Sequence, residues 1–141
     1  MAFKLDIGDP KSKKTFHIES ASEAFLGRKI GEKIEGKDIP EIKEAGDYEF
    51  TITGASTIAG LPALANIDHP GLKRVLLTKG PALRAKKPKG LRKKRTVHGN
   101  TITEGIIQIN MKVSKQGSKP LNEILGKPEA KKEEAAAPKT E

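Results

Sequence analysis

The tightest constraint on the fold is the unbroken alternation in Ile107-Gln108-Ile109-Asn110-Met111-Lys112-Val113-Ser114. Side chains along a strand point to opposite faces with a period of two. Ile107, Ile109, Met111 and Val113 therefore line a buried face, and the polar residues between them meet water. Tyr48-Glu49-Phe50-Thr51-Ile52-Thr53 repeats the pattern with Tyr48, Phe50 and Ile52 inward. Shorter extended runs are expected over residues 3–7, 15–19, 74–78 and 96–103. Arg74-Val75-Leu76-Leu77-Thr78 is apolar and lies between Gly71 and Gly80, which predicts a core strand. Thr103-Glu104-Gly105 turns the chain between the last two strands.

Helix is scarce. Ser20-Ala21-Ser22-Glu23 matches a capping box, with Ser20 as N-cap and Glu23 reaching back to its amide. Ala24, Phe25 and Leu26 follow, and Gly27 closes the turn in a left-handed conformation. A helix of about two turns is expected there, and Leu121–Leu125 is a second short candidate. Glycines at 27, 31, 36, 46, 54 and 60 keep the connections of the first half short. Many short strands with frequent turns point to a mostly β fold, barrel or sandwich; a small β-barrel with a short helix is preferred. The barrel core is expected over residues 1–117, including a basic extended arm at 80–100. Residues 118–141 are expected to be an extended or disordered tail. Within it, Lys131-Lys132-Glu133-Glu134-Ala135-Ala136-Ala137-Pro138 has too little apolar surface to offset the entropy of ordering.

Composition narrows the function. The 141 residues include no Cys and no Trp, so disulfides, thiolate metal sites and cysteine nucleophiles are excluded together. No apolar run approaches the roughly 20 residues that cross a bilayer. Met1-Ala2-Phe3-Lys4-Leu5-Asp6 shows no apolar signal-peptide core, so a cytoplasmic protein is expected. His17, His69 and His98 are scattered, with no metal-ligand spacing. The carboxylates between Glu32 and Glu49 alternate with Lys33, Lys37 and Lys43 as on a solvated face. Neither catalysis, a cofactor, a metal nor a small-molecule substrate is expected.

The net charge of +9 is concentrated in one place. Residues 69–103 hold 11 Lys and Arg and no acid, whereas residues 1–68 carry more acids than bases. A concentrated field of one sign attracts a polyanion and repels itself when unpaired. The centre of this segment is Gly80-Pro81-Ala82-Leu83-Arg84-Ala85-Lys86-Lys87-Pro88-Lys89-Gly90-Leu91-Arg92-Lys93-Lys94-Arg95. Pro81, Pro88 and Gly90 oppose a continuous helix, so an extended or looped arm is expected. It presents Arg84, Lys86, Lys87, Lys89, Arg92, Lys93, Lys94 and Arg95 to phosphates, is disordered when free and orders on RNA. The arm has no aromatic residue. Base-reading proteins use aromatic platforms worth about 1–3 kcal/mol per base, so folded RNA recognised by phosphate and shape is the better fit. Neutralising about six phosphates would give a salt slope of roughly −4 to −5. The other readings of a basic run are a solvated face, a protein-docking patch or an import signal.

At these residues the chain resembles the S-six-e family of small ribosomal subunit proteins. Thr53-Gly54 followed by Gly60-Leu61-Pro62 is similar to the family's glycine-rich turn ending in Gly-aromatic-Pro. Gly71-Leu72-Lys73-Arg74-Val75-Leu76-Leu77-Thr78-Lys79-Gly80 is similar to its Arg-Val-Leu-Leu strand. Gly90-Leu91-Arg92-Lys93-Lys94-Arg95-Thr96-Val97-His98-Gly99-Asn100-Thr101-Ile102 resembles its most distinctive motif, a glycine, a basic quartet and then Val-Arg-Gly. Leu61 replaces the aromatic residue, Ala55 replaces a second glycine, and His98 stands where the motif has Arg. An archaeal-type form without the long Arg-rich helical extension of eukaryotic members is expected. The resemblance covers about residues 1–117. It implies an archaeal-type, non-enzymatic component of the small subunit that supports translation in the cytoplasm. Its partners would be small-subunit ribosomal RNA and neighbouring ribosomal proteins, with His98 added to the RNA-facing residues. The alternatives are a free-standing RNA- or DNA-binding barrel, such as an RNA chaperone or chromatin factor, and an RNA-modifying or hydrolytic enzyme.

Overall fold

The computed structural model describes residues 2–83 and 89–125. Seven strands appear in chain order: β1 (Phe3–Asp9), β2 (Lys14–Ser20), β3 (Lys33–Glu35), β4 (Glu49–Thr57), β5 (Leu72–Leu77), β6 (Lys93–His98) and β7 (Ile106–Lys115). One α-helical turn, α1 (Leu121–Leu125), follows. Five strands form a sheet in the order β2-β1-β7-β4-β3, and β5 and β6 form a separate two-stranded ribbon. Neighbours in the large sheet are antiparallel except β1 and β7, which run parallel. The fold is mostly β, as expected. Among the described residues the sheet is open, with edges at β2 and β3, and the closed barrel is not found. In place of further strands, a single helical turn at Gly36–Asp38 and a kinked 3-10 segment at Pro40–Ala45 bring Ile39, Ile42 and Ala45 into the core.

The alternation read from the sequence builds that core. Leu5 and Ile7 of β1, Phe50 and Ile52 of β4, and Ile109, Met111 and Val113 of β7 are all buried. Phe3 and Phe25 meet edge to face at 6.0 Å, and Tyr48 stacks on Phe50 at 6.0 Å. One expectation shifts in phase: Ile106 is buried while Ile107 is only half-buried. The register between β4 and β7 slips between Ser56 and Thr57, and also between Ile52 and Gly54. A bulge inserts one residue and swaps the faces beyond it. That is why Ala55 rather than Gly54 points inward.

The helix expected after Ser20 is a single turn at Glu23–Phe25, capped by Ser22, whose Oγ accepts the Ala24 N–H at 3.2 Å. Ser20 is the buried last residue of β2. Its hydroxyl donates to Glu41 Oε2 at 2.7 Å and accepts the Ser22 N–H at 3.2 Å, one step before the helical turn, so the cap itself is Ser22. Gly27 does adopt the left-handed conformation, at φ 78°.

At the other end, the Tyr48 hydroxyl donates to the Lys119 carbonyl and Leu121 is buried. The Lys119 carbonyl and the Leu121 side chain, both within the expected tail, are therefore tied to the core. Burial raises the Tyr48 pKa above its ordinary value, so the phenol stays neutral and keeps this bond. Residues 126–141, with the Lys/Glu/Ala stretch of the tail, lie outside the described residues.

Candidate nucleic-acid interface

The apolar run at residues 74–78 does not enter the core. Among the described residues its strand, β5, pairs only with β6, so the ribbon carries the acid-free segment outside the five-stranded sheet. Leu72 and Leu76 are each 54% exposed, whereas a core strand would bury them. A short apolar run between glycines satisfies the pattern of a core strand. It does not specify what packs on its faces.

The register places Leu76 opposite Lys94, Val75 opposite Arg95 and Leu77 opposite Lys93. Leu72, Arg74 and Leu76 share one face with Lys94 and Thr96; Lys73, Val75 and Leu77 share the other with Lys93 and Arg95. Both faces therefore present cations, and Lys73, Arg74, Lys93, Lys94 and Arg95 are all exposed. Among the described residues, none of these five, nor Lys79, Lys89 or Arg92, has a carboxylate within 4.0 Å. Elsewhere in the fold some cations are matched: Arg28 lies 3.7 Å from Asp38, Lys33 3.8 Å from Glu49 and Lys29 3.0 Å from Asp68. The hydrogen bond and charge of Lys29 hold the Asp68 carboxyl below the usual range.

Of the nine expected contact residues, the structure brings Lys93, Lys94 and Arg95 together on β6 and leaves Lys89 and Arg92 exposed just before it. Arg84, Lys86 and Lys87 lie outside the described residues. The expected arm is thus a paired strand from Lys93 onward, because pairing with β5 satisfies backbone groups that an extended arm would leave to water. Sequence reasoning left Lys73 and Arg74 out of the candidate set. The signal that finds them is the beginning of the acid-free stretch at residue 69.

His98 corrects another expectation. It is 3% exposed, with Nδ1 3.0 Å from the Gly99 carbonyl and Nε2 3.1 Å from Thr103 Oγ1. Both ring nitrogens are engaged within the fold, which places His98 at the ribbon's root. That root is built from backbone. The His98 N–H donates to the Pro62 carbonyl and the Leu64 N–H to the His98 carbonyl, both at 3.0 Å. Ala63 N–H in turn donates to Ala55 of β4 at 2.9 Å. Gly99 fits beneath His69 because a Cβ there would lie 1.7 Å from the His69 carbonyl oxygen. The remaining histidines are local: His17 pairs with Asp6, and His69 Nδ1 accepts the Gly71 N–H at 2.9 Å.

Between the ribbon and the 57–62 loop lies an open cavity of about 700 Å³, lined by Leu61, Pro62, Pro81, Ala82, Arg95 and Thr96 among others. It gathers no acid, base or nucleophile set. Among the described residues no group of three or more His, Asp or Glu is placed to hold a metal ion. No helix there is long and apolar enough to cross a membrane.

Comparison with known proteins identifies the family. The family model described as ribosomal protein S6e matches residues 3–126. A protein named small ribosomal subunit protein eS6 from Methanococcus maripaludis is 41% identical over 131 residues, 92% of this chain and 98% of the relative. The protein of the same name from Methanocaldococcus jannaschii is 37% identical over 123 residues, 87% and 90% of the two chains. That from Archaeoglobus fulgidus is 37% identical over 130 residues, 89% and 96%. With a family match over nearly all of the described residues and relatives that align almost end to end, the chain belongs to the ribosomal protein S6e family.

Proposed function

We propose that this chain is a structural constituent of the small ribosomal subunit and that it grips folded ribosomal RNA electrostatically through the β5–β6 ribbon and the loop joining its strands. The observation that carries the reading is the ribbon itself, whose described cations are exposed and matched by no carboxylate within 4.0 Å. Releasing counterions from RNA phosphates supplies affinity without base reading, which suits a surface with no aromatic residue. The packed core, together with residues 119–121, serves as the scaffold that sets the direction of the ribbon. Family membership supports a ribosomal and non-catalytic role. It also supports a place in the cytoplasmic ribosome, where the partners are small-subunit RNA and neighbouring ribosomal proteins. The exposed Leu72 and Leu76 favour a protein neighbour on one ribbon face, since exposed apolar surface beside charge marks contact sites.

The test is co-sedimentation of the tagged protein with ribosomal particles at rising salt. The expected result is stoichiometric travel with the small subunit and release only at high salt. A protein that stays near the top of the gradient, or spreads over all nucleic acid, would instead be a free-standing RNA- or DNA-binding factor.

A further inference from the structure

Charge counted along the sequence locates the basic excess in residues 69–103, yet folding assembles a second positive surface from residues that are far apart in the chain. On the outward face of the large sheet, Gly8 of β1 lies between Thr15 of β2 and Lys112 of β7. Having no side chain, Gly8 leaves a shallow groove of about 410 Å³. One wall is Lys13, Lys14 and Thr15; the other is Thr53 and Lys112. Lys13, Lys14 and Lys112 are exposed, and among the described residues none has a carboxylate within 4.0 Å. In the same sheet Lys33 and Lys115 both lie within 4.0 Å of Glu49, whereas the groove lysines have only the buried Asp9 as an acid in their lining.

The groove is also held in shape. Lys13 has φ 57°, the only positive φ outside glycine among the described residues. Such backbone costs of order 1–3 kcal/mol and persists only where its surroundings enforce it. Asp9 supplies part of that enforcement. Its carboxylate accepts the Lys11 N–H at 3.0 Å and Gln116 Nε2 at 3.1 Å, tying the β1–β2 turn to the end of β7. Asp9 is 8% exposed and is the one acid in the lining, against three lysines. Beyond the aliphatic stems of the lysines, Pro10 is the only apolar side chain in the groove among the described residues. A protein partner needs an apolar or aromatic anchor, whereas a phosphodiester needs cations, a hydroxyl donor and close access to a side-chain-free floor.

We propose that this groove is a second RNA-backbone site, with phosphates held between Lys13 and Lys14 on one side and Lys112 on the other, over Gly8. It rests on the ribosomal reading above and adds a grip built from β1, β2 and β7, strands that take no part in the ribbon. The chain then clamps RNA at two places, which fixes its orientation as one basic ribbon cannot.

The experiment uses the full chain and deproteinised small-subunit RNA purified from Methanococcus maripaludis. Affinity is measured across 50–200 mM salt for wild type, for Lys14→Gln/Lys112→Gln and for a ribbon variant, Lys93→Gln/Lys94→Gln. Loss of two phosphate contacts is expected to make the salt slope of the groove variant shallower by about two, with an unchanged melting temperature. Acetylation of lysines in the wild-type complex is expected to spare Lys13, Lys14 and Lys112. If wild type binds and the ribbon variant weakens, but the groove variant keeps its slope and its lysines are acetylated freely, the second site is overturned while the ribosomal reading stands. Protection that appears in assembled subunits but not on naked RNA would assign the groove to a neighbouring protein, and would also overturn it. If wild type itself fails to bind, the RNA-binding mechanism falls first and this site with it.

Discussion

The large sheet and the β5–β6 ribbon are written in nearly the same sequence language, yet folding uses them in opposite ways. In β7, Ile109, Met111 and Val113 alternate with Asn110, Lys112 and Ser114, and one face is buried throughout. In β5 and β6, Val75 and Leu77 share a face with Lys93 and Arg95, and each stays at least partly exposed. Five strands with one apolar face can bury enough surface to be stable. A lone two-stranded ribbon is marginal by itself, so its order depends on its root and on whatever it meets. The difference separates stability from recognition: substitutions in the sheet should act on folding, and substitutions in the ribbon on binding.

The largest effect should come from the sheet. Phe50 is fully buried, stacks on Tyr48 and pairs in register with Ile34 and Val113. Phe50→Ala is expected to cost about 3–5 kcal/mol, read by urea unfolding. The fraction that remains folded should bind RNA with wild-type affinity. A variant that is stable but binds poorly would break the separation.

The converse is Lys93→Glu/Lys94→Glu/Arg95→Glu. Reversing three exposed charges is expected to weaken RNA binding by roughly a hundredfold at low salt, with a melting temperature within a few degrees of wild type. A cooperative loss of folding would mean that the ribbon is part of the core after all.

The joint between the two regions should respond in both measurements. Gly99→Ala drives a methyl into the His69 carbonyl. Relieving that contact should cost about 1–3 kcal/mol, as overpacking generally does, and should misdirect the ribbon. A moderate loss of stability with a disproportionate loss of RNA affinity is expected. If affinity instead follows the folded fraction alone, the ribbon's direction does not matter.

Much of this was legible in the sequence, and the failures have a common cause. Period-two alternation identified β4 and β7, and the acid-free stretch identified the ribbon's charge, because both are local properties. The bulges that turn Ile107 partly outward and Ala55 inward arise from pairing between strands about fifty residues apart. Leu76 looked like a core residue because its run is apolar, and only topology leaves it with one partner strand. His98 joined the contact residues because it stands where the resembled family's motif has Arg, although in the fold it is bonded to Pro62, Leu64 and Thr103. The groove around Gly8 was invisible for the same reason, since Lys14 and Lys112 become neighbours only through the pairing of β1 with β7.

The smallest predicted effect concerns how that pairing is held at its end. Burial raises the pKa of Asp9, but the hydrogen bonds it accepts, including those from Lys11 and Gln116, outweigh burial and leave the carboxyl below its ordinary value. A depressed folded pKa means that the charged form stabilises the native state. The contribution is present above the unfolded value near 3.8 and is lost as pH falls through the folded one. Asp9→Asn is therefore expected to lower stability by about 1 kcal/mol at neutral pH, the scale of a hydrogen bond lost from a partly buried network. Thermal melts of the two proteins should converge as pH drops below that range. A gap that persists unchanged into strong acid would show that Asp9 acts through shape and not charge. The β1–β2 turn would then be held by packing, as the rest of the sheet is, and would not be a charged edge between the core and the surface that binds.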